Sequence, residues 1–382
     1  MFDHTDMDPR ELPLSTLGMV FVFLPLIIAS LYFRVLEKMV KEDVKKKEDK
    51  TSAIDVTSYD SLVTLVNDLA EFGLILAYCF ACEHYPPYEH AQKVHNFDVF
   101  LGSFFLLILS AFAFTRNVEA QKASSEISVM NREQTEEWKG WMQFLFLMYH
   151  WASVPEAYNL VRVLITAYVW LTGFGNLSFF YIRRDFGLIR VLQMLWRLNF
   201  LVVFLCLTMG NPYILYYICP LHTFYFLFVY VTMGIRKDVN HTRRGIRLKL
   251  ALASVFLYIL FDLPGVPLFR ATFTSWLSDE PAMCEIGTTT KACPVGGYST
   301  SWEWYFRSSL DHWSTMFGMI FALNMPVFKR WIQVSEWMSP EMQFTIKSIT
   351  GVLLGCLFAW WLLYVYTLPK LTYVLLLFEY VL

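Results

Sequence analysis

Stretches of about twenty apolar residues recur along this chain, and that recurrence constrains the fold more than any other feature. About 20 helical residues cross a bilayer core about 30 Å thick. Inside that core only helices and closed barrels satisfy every backbone polar group. Ten such segments can be read, at 13–33, 61–81, 97–115, 139–154, 158–181, 188–209, 212–234, 248–266, 307–326 and 344–367. They predict an all-α, polytopic transmembrane helix bundle. Of 382 residues, 56% are hydrophobic and only 17% charged, against about 25% charged in a soluble domain. Mean hydropathy is +0.42. An ordinary soluble enzyme, a disordered chain and a coiled coil are excluded. A formal charge of −2 excludes nucleic-acid binding through bulk positive charge. Membrane lipid is the first partner the composition implies.

Basic residues orient the bundle, because cytoplasmic loops are enriched in Lys and Arg. The loop 34–60 opens with Arg34, Lys38, Lys41 and a Lys45-Lys46-Lys47 run, so it is placed in the cytosol. The acidic tail 1–12 is then lumenal, and 13–382 reads as one membrane domain. Further basic loops carry Arg183 and Arg184, then Arg236, Lys237, Arg243, Arg244 and Arg247, then Lys329 and Arg330. They alternate with loops poor in basic residues, including the long lumenal loop 267–306. Segment four is short and is interrupted by Pro155, but the alternation requires it to cross. The apolar stretch from Leu371 reads as a chain incomplete or divergent at its C-terminus.

Polar side chains at bilayer depth cost at least about 2.5–3.5 kcal/mol each, so they mark functional sites. His150, Arg197, Asn199 and His222 fall in three apolar segments. With Lys139 at the cytosolic interface and a rise of about 1.5 Å per residue, His150 is expected about 16 Å deep. Arg197, Asn199 and His222 are expected at similar depth. Lys139 and His150, eleven residues apart, share one helix face. Histidine is the usual proton carrier near neutral pH. Glu136 and Glu137 suit a helix N-terminus. Asp68, Glu71 and Asp262 are expected as ion-pair partners, and Arg162 as a snorkelling interface residue. Trp138, Trp141, Trp151 and Trp170 suit interface belts or packing. Gly173 and Gly175 would permit close helix approach.

Cys79 and Cys82 form one CxxC without a second pair, so no metal is expected. Cys284 and Cys293 share the long lumenal loop, where a disulfide suits an oxidising compartment. A GxSxG elbow, a P-loop and an HExxH are all missing from the sequence.

The run NREQTEEWKGWMQFLFLMYH (131–150) resembles the capsule-structure acyltransferase domain of animal sialate O-acetyltransferases and plant reduced-wall-acetylation proteins. The similarity continues through AYVWLTGFGNLSFFYIRRDF (167–186), MLWRLNF (194–200) and YYICPLHT (216–223). It is fainter at EWYFRSSLDHW (303–313). This resemblance implies a Golgi multi-pass membrane protein in glycan or polysaccharide O-acetylation, with acetyl-CoA as cytosolic donor and a lumenal acceptor. It also implies acetyl-CoA phosphates near Lys139, Arg183 and Arg184, with Glu136 and Trp138 in the same block. His150 would then be base or transient acceptor, Arg197 and Asn199 would polarise the thioester, and His222 would pass on the acetyl group or a proton. Without a Gly-Asp-Ser block, the chain looks like the plant-type arrangement, in which separate lumenal transferases complete the transfer. The rival readings are a transporter of acetyl-CoA or another acetyl donor without chemistry, and a non-catalytic scaffold for lumenal transferases.

Overall fold

The computed structural model describes residues 14–44, 53–85, 95–114, 130, 132–210, 213–263, 268–273, 283–286, 289–292 and 300–369. The tail 1–12, Cys293 and the apolar end from Leu371 lie outside the described residues.

Among the described residues, twelve α-helices carry the architecture. They are α1 Leu14–Val44, α2 Ala53–His84, α3 Phe97–Phe114, α4 Arg132–Trp151, α5 Tyr158–Arg183, α6 Leu188–Met209, α7 Ile218–Gly234, α8 Arg243–Leu257, α9 Leu268–Phe273, α10 Thr300–Ser309, α11 His312–Glu336 and α12 Pro340–Trp360. Six described stretches are long and apolar enough to cross a membrane. They correspond to α1, α2, α3, α5, α6 and α12. The other expected crossings fall short for readable reasons. Helix α4 opens with Arg132, Glu133, Glu136, Glu137 and Lys139, α8 opens with Arg243, Arg244 and Arg247, and α7 has only 17 residues.

The ninth segment, read as 307–326, is two helices. Helix α10 stops at Ser309 and α11 starts at His312. The Asp311 carboxylate, which could have capped α11, is directed elsewhere in the bundle. Within the long loop, Met283–Ile286 (β1) and Thr289–Ala292 (β2) pair as an antiparallel hairpin. Cys284 lies opposite Lys291 in it.

The chain divides into two compact units. The first comprises residues up to Ala91 together with Gln193–Cys219. In it, Phe72 stacks on Phe200 at 4.9 Å between ring centres. Ser30 donates to Asn67 Oδ1 at 2.6 Å, and Arg34 pairs with Glu71 at 2.9 Å. The second unit comprises Gln92–Leu192 and the residues from Pro220 onward.

Helix α5 is the spine of the second unit. Its 26 residues span about 39 Å at the usual helical rise, enough for the hydrocarbon core. Helix α11 presses against it through glycine on both sides. A methyl group on Gly173 would lie 2.1 Å from the Thr315 carbonyl oxygen, and one on Gly318 would lie 2.2 Å from the Trp170 carbonyl oxygen. Small residues allow this approach where lipid supplies no hydrophobic drive between helices. Gly175 has nothing within 4 Å, so Gly173 alone fits the expected close approach. Helix α7 packs on α5 through Val169, Leu221 and Tyr225. Helix α8 ends in a widened π turn, Tyr258–Asp262. None of the residues of α12 is buried.

Candidate functional site

Helices α4 and α5 form a hairpin around Ala152–Ala157. Gln143 Nε2 donates to the Tyr168 hydroxyl across it at 3.0 Å. That contact sets the register. Lys139, one turn before Gln143, lies level with Thr172, one turn beyond Tyr168. Tyr168 is about 15 Å, and Thr172 about 21 Å, from the start of α5. The middle of α5 is therefore marked by Tyr168 and Thr172, with Gln143 level with them. The sequence reading put Lys139 at the interface and His150 at mid-depth. Along the hairpin, Lys139 lies level with the middle of α5 and His150 at the far end of α4, because the helix begins seven residues before Lys139, at Arg132.

His222 sits at this level. Its Nδ1 is 2.8 Å from Thr172 Oγ1, its ring centre is 4.8 Å from that of Tyr168, and the residue is only 5% exposed. The Thr172 hydroxyl donates its one proton to the Tyr168 carbonyl at 3.3 Å. In the tautomer in which its oxygen accepts from the imidazole, Nδ1 carries the ring hydrogen and Nε2 keeps a lone pair. Nε2 has no hydrogen-bond partner among the described residues. Such an imidazole can take a proton or an acyl group.

His150 is exposed and lines an open cleft of about 360 Å³ with His95, Tyr149, Ser153, Val154 and Pro155. At the same mouth His95 Nε2 meets Glu156 Oε1 at 3.0 Å, and the Asn96 amide donates to the Ala152 carbonyl at 3.0 Å. Lys139 pairs with Glu136 at 3.4 Å, and Trp138 is half-buried. Arg183 and Arg184 are exposed at the opposite end of α5. The Thr172 level is about 16 Å from that end. Arg197 and Asn199 belong to the first unit. Arg197 is exposed on α6 and forms no ion pair among the described residues. Asn199 accepts from the Tyr213 hydroxyl at 2.6 Å and donates to the Leu195 carbonyl at 3.0 Å.

A second buried polar group lies in the same unit; Asp262 was expected in such a pairing and is found opposite His312, whereas its other members were not foreseen. Arg162, expected to snorkel, is 5% exposed, and its Nη2 meets Asp311 Oδ2 at 2.5 Å. Thr166 donates to the other oxygen of Asp311 at 2.7 Å. His312 Nε2 meets Asp262 Oδ2 at 2.8 Å, which the Trp313 indole also approaches at 3.1 Å. His312 Nδ1 faces the Ser309 carbonyl. Both ring nitrogens of His312 thus face oxygens of partners, a backbone carbonyl and a carboxyl. The signal available beforehand was the adjacent Asp311-His312 in a block singled out by resemblance. Their partners lie 149 and 50 residues away, beyond the reach of spacing. Among the described residues, no group of His, Cys, Asp and Glu could hold a metal.

A family profile described as the 10 TM Acyl Transferase domain found in Cas1p matches residues 9–375. An N-acetylneuraminate (7)9-O-acetyltransferase from Danio rerio is 35% identical over 303 residues, which is 77% of this chain. The matched region is 36% of that relative's length. No solved structure matches the chain.

Proposed function

The chain belongs to the ten-transmembrane acyl transferase family of Cas1p, and on that premise we propose that it is a Golgi membrane O-acetyltransferase component. It takes acetyl groups from cytosolic acetyl-CoA for glycan hydroxyls on the lumenal side, alone or with a separate lumenal transferase. The observation that carries this reading is His222, buried level with the middle of α5 with Nδ1 tied to Thr172 and Nε2 left to react. The basic loops support a lumenal N-terminus.

In this reading the donor enters from the Arg183 end of α5, and its thioester lies level with Thr172. Lys139 supplies a cation at that level, and Gln143 fixes the Tyr168 ring beside the imidazole. The acceptor enters from the His150 cleft, where His150, His95 and Glu156 offer hydrogen bonds to hydroxyl groups. His222 Nε2 takes the proton from the acceptor hydroxyl as its oxygen attacks the thioester carbon. The new C–O bond forms, the C–S bond breaks, and the imidazolium returns the proton to the departing thiolate. Arg197 and Asn199, which belong to the first unit, carry no step in this reading.

The test is a sealed vesicle containing the purified chain, given donor labelled separately in its acetyl and adenine parts. Acetyl label appearing on an enclosed glycan acceptor, with free coenzyme A left outside, supports the reading. Both labels crossing together would make the protein a transporter, and no interaction with the donor would leave a scaffold.

A further inference from the structure

We propose that the Arg183 end of the second unit is a pre-formed phosphate-binding platform, built jointly by the α5–α6 and α7–α8 connections. Six exposed cations gather there: Arg183, Arg184, Arg236, Lys237, Arg243 and Arg244. Among the described residues none of the six forms an ion pair. Two carboxylates share these connections: Asp185, whose Oδ1 accepts from the Gly187 amide at 3.0 Å, and Asp238, between Lys237 and Asn240; neither forms an ion pair with the six among the described residues.

The two connections are held together. The Tyr181 and His241 rings meet at 5.1 Å, Phe180 stacks on Phe186 at 5.1 Å, and the Tyr230 hydroxyl donates to the Phe186 carbonyl at 3.1 Å. The α7–α8 connection is also fixed from below. Buried Asn240 donates to the Met233 carbonyl at 2.9 Å and accepts from Lys249 Nζ at 2.5 Å. Gly245 packs so closely that a methyl group there would lie 2.6 Å from the Val239 carbonyl oxygen.

Backbone conformation fixes where two of the arginines sit, because a left-handed residue is a usual stop of a helix: Arg184 caps α5 and Arg236 lies two residues past the end of α7. Arg184 at φ 57° and Arg236 at φ 48° are both left-handed, a region that favours glycine. Only two other described non-glycine residues, Met130 and Ser153, share it. A loop that served only as a cytosolic topology signal would need positive charge anywhere along its length. It would not need the two basic connections tied to each other through Tyr181–His241 and Tyr230–Phe186. Held cations without carboxylate partners suit an anion with several oxygens, and arginine is the residue that meets phosphate in two-pronged geometry.

The ligand is therefore a phosphate-bearing group. Coenzyme A is one source and an anionic lipid headgroup is the other. The first rests on the function proposed above: the distance from this end to Thr172, about 16 Å along α5, must be bridged by the donor's flexible arm.

The test uses the full chain in nanodiscs of zwitterionic lipid. Coenzyme A binding is compared with that of pantetheine, which has no phosphate, and with the triple variant R236Q/R243Q/R244Q. Wild-type protein should bind coenzyme A in a salt-sensitive way and pantetheine far more weakly. The triple variant should lose at least about tenfold in affinity, since each charge-assisted hydrogen bond is worth that order. A parallel arm measures enrichment of anionic phospholipid around the protein in mixed-lipid nanodiscs. Loss of lipid enrichment with coenzyme A binding unchanged assigns the platform to headgroups. Wild-type affinity for both ligands in a triple variant of unchanged melting temperature overturns the platform. Coenzyme A binding without acetyl transfer would remove the proposed function and leave the platform standing.

Discussion

His222 and His312 are imidazoles of the same unit, 5% and 3% exposed, yet their nitrogens are used in opposite ways. His222 spends one nitrogen on Thr172 and keeps the other open. His312 has an oxygen partner on each side, the Ser309 carbonyl and the Asp262 carboxyl. Around His222 stand groups able to donate or accept once more, while around His312 stand Arg162, Asp262 and Asp311 in closed pairs. Burial and residue type alone would have ranked the two equally. Hydrogen-bond accounting separates an imidazole with one nitrogen open from one whose nitrogens are both engaged.

The largest expected effect tests the open side. His222→Ala should lower acetyl transfer by about 10²–10⁴-fold, the usual worth of a positioned proton carrier, with the melting temperature little changed. Transfer within threefold of wild type would sink the assignment. On the closed side, Asp311→Ala should leave Arg162 buried and unpaired and reduce stability by about 3–5 kcal/mol. Pairing Asp311→Leu with Arg162→Met should recover much of that, and detergent-phase thermal melts read both. If the single variant melts normally, the pair is not the clamp described here. His312→Gln keeps one donor but loses the second contact. It should cost about 1–3 kcal/mol, while turnover per folded molecule is preserved. A selective fall in turnover would instead make the two histidines functional equals. The smallest effect is Thr172→Val, which removes the partner of Nδ1 and should slow transfer about tenfold. Thr172→Ser should restore the rate, whereas a merely space-filling role predicts the reverse order.

The apolar crossings were legible because about 20 residues of hydrocarbon leave no ambiguity in composition. Gly173 was legible as a contact point for the same reason. Depth was not. It depended on where α4 begins, and the charged turn from Arg132 to Lys139 reads as loop when hydropathy alone is followed. The role of Arg162 was hidden because an arginine near a segment end snorkels unless something meets it, and Asp311 is remote in sequence. Gln143 was overlooked because a neutral amide carries little signal until its partner across the hairpin is known. His222, by contrast, was visible from the start as an imidazole in an apolar run, though its tautomer required the threonine beside it.

The widened turn at Tyr258–Asp262 carries a consequence for how this chain could tolerate change. Five residues there occupy the arc that ordinary helix would fill with fewer, and the surplus aims the Asp262 carboxylate at His312 and Trp313. Deleting one residue between Tyr258 and Phe261 would let the turn relax to ordinary helix and absorb the loss. A deletion in the regular helix before it, between Leu250 and Leu257, has no surplus to draw on and would turn Asp262 by about 100°. Two single-codon losses a few positions apart, alike in any hydropathy profile, would thus differ sharply in what they do to the carboxylate facing His312 and Trp313.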